Sequence, residues 1–96
     1  MSELNKIKQQ LGQMKLELHE KFHVNSIGLF GSIVRDDYTA NSDIDIIVDF
    51  SQPIGIEFVD LADLIERKLQ KNIDLVSKKG VKEKYFRTFE SEIIYV

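Results

Sequence analysis

Three aspartates in this chain have the spacing that cation-assisted phosphoryl chemistry requires. Asp43 and Asp45 are separated by one residue, and Asp74 stands alone among apolar residues further along the chain. Alternate residues of a β-strand share one face, so the first two carboxylates would lie roughly 6.6 Å apart along the backbone. Oxygen ligands of this kind suit Mg²⁺ or Mn²⁺ rather than zinc, and they could hold two cations about 3.5–4 Å apart.

Asp74 gains a chemical role if its segment forms the strand beside Asp43 and Asp45. The two backbones would then be about 4.8 Å apart, and Asp74 could share a cation or accept a proton from an attacking hydroxyl. Without such a role, a lone carboxylate in the apolar segment IDLV would be costly if it were buried. We therefore expect the three aspartates to form one catalytic, metal-binding group.

A Gly-Ser pair that ten residues separate from Asp43 has the properties of a phosphate-binding turn. Gly31 lets the backbone approach a phosphate without a Cβ in the way, and free amides at the start of a short helix expected over 33–35 would bind an anion. The Ser32 hydroxyl can donate one more hydrogen bond. Arg35 can either reach the same phosphates or pair with a nearby carboxylate.

Each of these features has an ordinary explanation when it is taken alone. Gly-Ser is a common dipeptide, the acid pair could be a solvated strand face, and Asp74 could pair with Lys71 or Lys79. Together they supply a phosphate-binding turn, metal ligands and a base in one short chain. The combination therefore favours a nucleotidyl-transfer site over unrelated surface residues.

Apolar periodicity indicates the elements that position these residues. Recurrence at three or four positions predicts helices over 2–22, 55–69 and 81–90, and alternation predicts strands over 25–30, 43–50 and 71–76. The last residues, 92–96, read as a short apolar strand or tail. This order predicts an α/β layered domain but does not determine the strand order. Gly28, inside the first strand, predicts a close approach by a neighbouring segment.

Composition limits the classes of protein and of partner. With 96 residues, we expect one domain spanning 1–96. The absence of cysteine excludes disulfides and thiolate metal sites, and no apolar run approaches the ~20 residues of a membrane span. A net charge of −3 argues against a large nucleic acid partner but not against a nucleotide, whose charge cations would offset. We therefore expect a cytoplasmic protein with no membrane and no direct nucleic acid partner.

The complete pattern resembles the nucleotidyltransferase superfamily that includes DNA polymerase beta, and more closely the small MNT-type (minimal) nucleotidyltransferases. Gly31-Ser32, ten residues and then Asp43-Ile44-Asp45 match the family's GS-x10-DxD motif, and Asp74 corresponds to its third carboxylate. Phe30, Arg35, Ser42, the apolar run 46–48 and the terminal IIYV also match, so the resemblance covers nearly the whole chain. Asp36 departs from the pattern, because many relatives have glycine after the arginine.

The resemblance implies a fold, a site and a reaction. The fold would be the polymerase beta-like palm, a small mixed sheet packed against helices. Mg²⁺, as two ions, would bind to the three acids, and ATP would bind to Gly31, Ser32, Arg35 and Ser42. Since MNT proteins are known as antitoxin partners of HEPN-domain toxins, the resemblance implies transfer of AMP to a tyrosine of such an RNase toxin, within a hetero-oligomer.

Two other functions use the same core. A non-catalytic antitoxin would sequester the toxin by binding alone, and intact acids argue against a degenerate site without proving turnover. An antibiotic nucleotidyltransferase would need a second, helical acceptor domain, and a chain of 96 residues has no room for one. We therefore expect the toxin-directed enzyme, with the binding antitoxin as its alternative.

Overall fold

A four-stranded mixed sheet with helices packed against it forms the frame of the protein, in a computed structural model that describes residues 2–35 and 37–96. The elements in chain order are α1 (Glu3–Phe22), β1 (Val24–Phe30), β2 (Ile44–Phe50), α2 (Glu57–Leu69), β3 (Ile73–Ser77), α3 (Glu83–Phe89) and β4 (Ile94–Tyr95). The α/β class and the mixed sheet expected from the sequence are therefore confirmed. None of these helices has the length and apolar character needed to cross a membrane. The departure at Asp36 lies outside the described residues.

Helix α1 forms because an apolar stripe runs along one of its sides and both of its ends are capped. Its buried residues are Ile7, Leu11, Met14 and Leu18, spaced three or four apart. The Ser2 hydroxyl accepts a hydrogen bond from the Asn5 amide at 3.1 Å, which satisfies one free donor of the first turn. The helix ends at His23, whose left-handed backbone carries its amide back to the His19 carbonyl.

The strand order is β3-β2-β1-β4. β1 lies antiparallel to both β2 and β4, whereas β2 and β3 are parallel. A parallel pair needs a crossover connection, and α2 supplies it. The crossover places the segment that carries Asp74 directly beside the segment that carries Asp45.

One face of the sheet forms the core with α1 and α2. Alternation along β2 turns Ile44, Ile46, Val48 and Phe50 towards this face, where all are buried. Leu61 and Ile65 from α2 are fully buried against the same cluster. Truncating a side chain of this kind to alanine typically costs about 2–5 kcal/mol, so this layer is what holds the strands in their register.

The opposite face is covered only in part, by the C-terminal segment. Gly28 faces this side, and a Cβ built there would lie 2.5 Å from Cγ2 of Ile93 and 3.2 Å from Cγ2 of Ile47. The close approach predicted at Gly28 is confirmed, and side chains rather than backbone make it. Phe89 from α3 stacks on Phe30 with ring centroids 4.2 Å apart. On this face of the sheet, the part between the C-terminal segment and β3 is left uncovered.

The short helix predicted over 33–35 was wrong in its bounds. The structure has a 3₁₀ turn over Gly31–Ile33 instead. The Gly31 carbonyl accepts hydrogen bonds from both the Val34 and Arg35 amides, which closes the chain into a turn at once. The left-handed backbone of Gly31 (φ 76°) makes this early closure possible.

Candidate active site

Phe30, Asp45 and Asp74 form one row across three strands, with Phe30 under the cover of Phe89 and the two aspartates on the open part of the sheet. Asp45 is the register partner of Phe30 on β1 and of Asp74 on β3. Register partners share a face, and neighbouring strands are about 4.8 Å apart, so the two carboxylates are direct neighbours. The structure thus fulfils the condition on which a shared role for Asp74 depended, because the strand that carries Asp74 pairs with the strand that carries Asp45. The structure also pairs Asp74 with Asp45, where the sequence left its partner open.

Asp43 lies one residue before β2 and is exposed, whereas Asp45 is half-buried and Asp74 is exposed. Asp43 precedes Asp45 by two positions, which places it on the same face as Asp45, just before the start of β2. The amide of the intervening Ile44 donates to the Asn72 carbonyl at 3.0 Å, so the start of β2 is tied to the residue before β3. The acids are thus carried on paired backbone rather than on a free loop.

Gly31 lies directly against Asp45. A Cβ at Gly31 would be 3.0 Å from Cγ and 3.3 Å from Cβ of Asp45, and it would collide with the carboxylate oxygen Oδ2. The φ of +76° is a second reason for glycine at this position, because side-chain-bearing residues rarely adopt it. The turn and the acid pair, ten residues apart in the sequence, therefore form one contiguous site.

Partial burial, together with neighbouring like charges, raises the pKa of Asp45 above its ordinary value. Partial burial is the largest cause, followed by the charges of Asp74 and Asp43, while the Arg35 guanidinium acts in the opposite direction. The ionised form of Asp45 is therefore held at a cost in free energy. A cation between these carboxylates would remove much of that cost.

Glu92 is a part of the site that the sequence did not reveal. Its Oε1 accepts a hydrogen bond from the Gly31 amide at 3.1 Å. Arg35 Nη1 donates to Oε1 at 3.2 Å and to Oε2 at 3.3 Å. Glu92 is separated from Gly31 by 61 residues and from Arg35 by 57, so no local spacing could have indicated the contact.

The remaining predicted nucleotide-binding residues occupy two different environments. Ser32 is half-buried in the 3₁₀ turn, next to Gly31. Ser42 is the residue before Asp43, and its hydroxyl accepts from the Thr39 amide at 3.1 Å and lies 3.2 Å from Oγ1 of Thr39. The structure thus places Ser32 in the turn and uses Ser42 to close the loop that leads into β2.

The donor set of the acid row fits a hard divalent cation. It consists of carboxylate oxygens alone, which Mg²⁺ and Mn²⁺ prefer and zinc does not. Within residues 2–35 and 37–96, no three His, Cys, Asp or Glu side chains already converge in a metal-binding cluster. Asp43 and Asp74 are exposed and would turn towards a cation that Asp45, held from the side by Gly31, anchors.

Sequence comparison identifies a family and several full-length relatives. The nucleotidyltransferase domain family matches residues 11–96. The protein adenylyltransferase MntA of Thermococcus cleftensis is 39% identical, and the alignment covers 100% of this chain and 98% of that protein. A protein of Methanocaldococcus jannaschii, named as a candidate protein adenylyltransferase, is 36% identical over 100% of both chains.

Solved structures share the fold at lower sequence identity. One, described as a candidate minimal nucleotidyltransferase, superposes with a TM-score of 0.80 at 23% identity, covering 98% of this chain and 95% of that one. A chain from the crystal structure of a mutant MntA–HpeT toxin–antitoxin has a TM-score of 0.68 at 22% identity, covering 96% of this chain and 70% of that chain. At these identities the likeness establishes the fold, in agreement with the sheet and helices described above.

Proposed function

The chain belongs to the nucleotidyltransferase domain family and is a nucleotidyltransferase, and from this premise we propose that it transfers AMP from ATP to a hydroxyl group of a protein. The observation that carries the proposal is the pair of Asp45 and Asp74 on neighbouring strands, with Asp43 just before β2 and the Gly31-Ser32 turn against Asp45. The site combines acids that bind a cation with a turn that binds a phosphate. A nucleoside triphosphate needs both.

The proposed reaction is an in-line displacement at the α-phosphorus of ATP. The acceptor hydroxyl oxygen forms a bond to phosphorus, and the bond between that phosphorus and the α–β bridging oxygen breaks. The hydroxyl proton passes to Asp74, and pyrophosphate leaves with the electron pair of the broken bond. Most of the acceleration would come from positioning and electrostatics rather than from covalent chemistry.

The residues of the chain would divide this work by position. Asp43 and Asp45, with Asp74, would hold Mg²⁺, which when bound neutralises charge on the phosphates and the leaving group. Gly31 and Ser32 would bind the triphosphate through an amide and a hydroxyl. Arg35 would pair with its outer phosphates. Ser42 would act indirectly, through the loop that it closes ahead of Asp43.

A protein acceptor is favoured by the relatives and by the openness of the site. Full-length relatives with 36–39% identity are named as protein adenylyltransferases. Asp43 and Asp74 are both exposed, so a large acceptor could approach the row directly. We therefore propose that the acceptor is a tyrosine of a HEPN-domain RNase toxin, that the chain acts as its antitoxin in a hetero-oligomer, and that the reaction takes place in the cytoplasm.

Label transfer from ATP provides the test. The protein would be mixed with ATP labelled at the α-phosphate, Mg²⁺ and the protein encoded by the adjacent gene. We expect label on that partner with wild type and none with Asp43→Ala plus Asp45→Ala. Asp63→Ala, which removes an exposed acid on α2 away from the site, is the matched control and should behave as wild type.

Two results would contradict the proposal. Equal labelling by wild type and by the double variant would show that Asp43 and Asp45 are not required for the reaction. Neutralisation of toxicity in cells by the double variant, without label transfer in vitro by wild type, would favour an antitoxin that acts by binding alone.

A further inference from the structure

Glu92 occupies the place where the proposed function puts a phosphate. The Gly31 amide and the Arg35 guanidinium are the donors assigned to the triphosphate, and both already donate to this one carboxylate. We propose that Glu92 is an internal substitute for phosphate, so that nucleotide binds by displacing it. The proposal rests on the proposed function, because it assumes that these donors bind the triphosphate.

The contact has the chemistry of anion recognition. A carboxylate and a phosphate both accept charge-assisted hydrogen bonds from a guanidinium and from a backbone amide. Arg35 Nη1 is bonded to both oxygens of Glu92, and Oε1 is shared with the Gly31 amide. A phosphate that approached the turn would need these same donors, so the two anions cannot hold them together.

The location of Glu92 permits its displacement. It is the last residue of a three-residue 3₁₀ turn, Glu90–Glu92, between α3 and β4. Its side chain keeps 27% of its surface exposed, and that of Arg35 keeps 54%. Rotation of the side chain would therefore release the carboxylate into solvent without any change in the strands. Because the pair is partly screened by water, its strength should be modest.

Glu92 also lies near other negative charges, which should favour movement of its carboxylate out of the site once a nucleotide binds. Its carboxylate adds to the negative field at Asp45, together with Asp43 and Asp74. In the nucleotide-free protein, Arg35 and the Gly31 amide compensate for it. When a phosphate takes these two donors, they no longer compensate for Glu92, and the side chain should turn away from the phosphate.

Equilibrium binding of α,β-methylene-ATP with Mg²⁺ tests the proposal, since this analogue cannot transfer its nucleotidyl group. Calorimetry would compare wild type, Glu92→Gln and Glu90→Gln. The last is the matched control, because Glu90 is an exposed acid in the same 3₁₀ turn and its substitution changes the net charge equally. We expect Glu92→Gln to bind about three- to tenfold more tightly than wild type, and Glu90→Gln to match wild type within about twofold.

Two results would overturn the proposal and can be told apart. If Glu92→Gln binds no more tightly than Glu90→Gln, Glu92 supports the site instead of competing for it. If none of the three proteins binds the analogue, the nucleotide site itself is wrong and the proposed function fails with it. In an Arg35→Gln background, Glu92→Gln should raise the affinity for the analogue by a smaller factor. An undiminished gain in affinity would show that Glu92 and the nucleotide do not compete for Arg35.

Discussion

Replacement of Gly31 by alanine should damage both the stability and the activity of the protein, through two separate causes. The first is the backbone, because φ at Gly31 is +76° and alanine is strained there. The second is space, since the new Cβ would lie 3.0 Å from Cγ of Asp45 and would collide with its carboxylate. The substitution therefore forces Asp45, which we propose to be catalytic, to move.

The two causes have comparable magnitudes. The left-handed conformation costs about 1 kcal/mol for a residue with a Cβ, and displacing Asp45 from its rotamer costs about 1 kcal/mol more. A total of about 2 kcal/mol corresponds to a fall of roughly 8–16 °C in Tm for a domain of this size. Because a displacement of about 1 Å can cost about 100-fold in rate, nucleotidyl transfer should fall by about that factor.

Thermal denaturation and label transfer measure the two effects on the same variants. Gly12→Ala is the matched control, because Gly12 is exposed in the middle of α1 and a Cβ there meets Val96 Cγ1 at 3.9 Å, an ordinary contact. It should stabilise the protein by about 0.5–1 kcal/mol and leave transfer unchanged. In an Asp45→Ala background, Gly31→Ala should cost only the backbone part, about 1 kcal/mol.

Two results would refute this reasoning. Wild-type Tm and wild-type transfer by Gly31→Ala would show that the turn tolerates a side chain. An equal loss of stability in the Asp45→Ala background would show that contact with the carboxylate contributes nothing.

Three further changes should report on the site and its cover. Asp45→Asn should raise Tm at pH 7, because the pKa of Asp45 is raised in the folded protein and its ionisation therefore costs stability. This gain in Tm should disappear as the pH falls below the ordinary aspartate pKa, and a lower Tm at pH 7 would contradict the prediction. Gly28→Ala should cost about 1–3 kcal/mol in urea unfolding, because its Cβ would lie 2.5 Å from Ile93 Cγ2, and an unchanged midpoint would mean that the C-terminal cover yields freely. ATP with Mg²⁺ at 100 times its Kd should stabilise wild type by about 2.7 kcal/mol, and it should have no effect on Asp43→Ala plus Asp45→Ala.

Local patterns were sufficient for the helices and for three of the strands. The stripe of α1 follows from its 3.6-residue period, and the faces of β2 follow from alternation, because both depend only on near neighbours in the sequence. The position of Asp74 beside the acid pair stayed a condition of the predicted site, which the parallel pairing of β3 with β2 fulfils.

The features that escaped prediction depend on contacts between distant segments. The strand order includes β4 at the edge beside β1, where Tyr95 and Ile94 pair with Gly28 and Leu29. Residues so far apart in the chain leave no local signal of this contact. The contact of Glu92 with Gly31 and Arg35 requires the final 3₁₀ turn to lie over the first one. The 3₁₀ turn at Gly31–Ile33 replaced the helix expected at 33–35 because one carbonyl captured two amides, a choice that residue types alone do not specify.

The position of Asp74 also bears on how the chain avoids misfolding. If β3 slipped by one residue against β2, Asp74 would enter the apolar layer under α2, and Ile73 and Leu75 would turn out to water. An unpaired carboxylate in that layer would cost several kcal/mol, a large part of the roughly 5–15 kcal/mol by which a folded domain is stable. The acid that we assign to proton transfer therefore also excludes the slipped sheet, and an apolar residue in its place would remove the barrier to a misaligned, aggregation-prone strand along with the reaction.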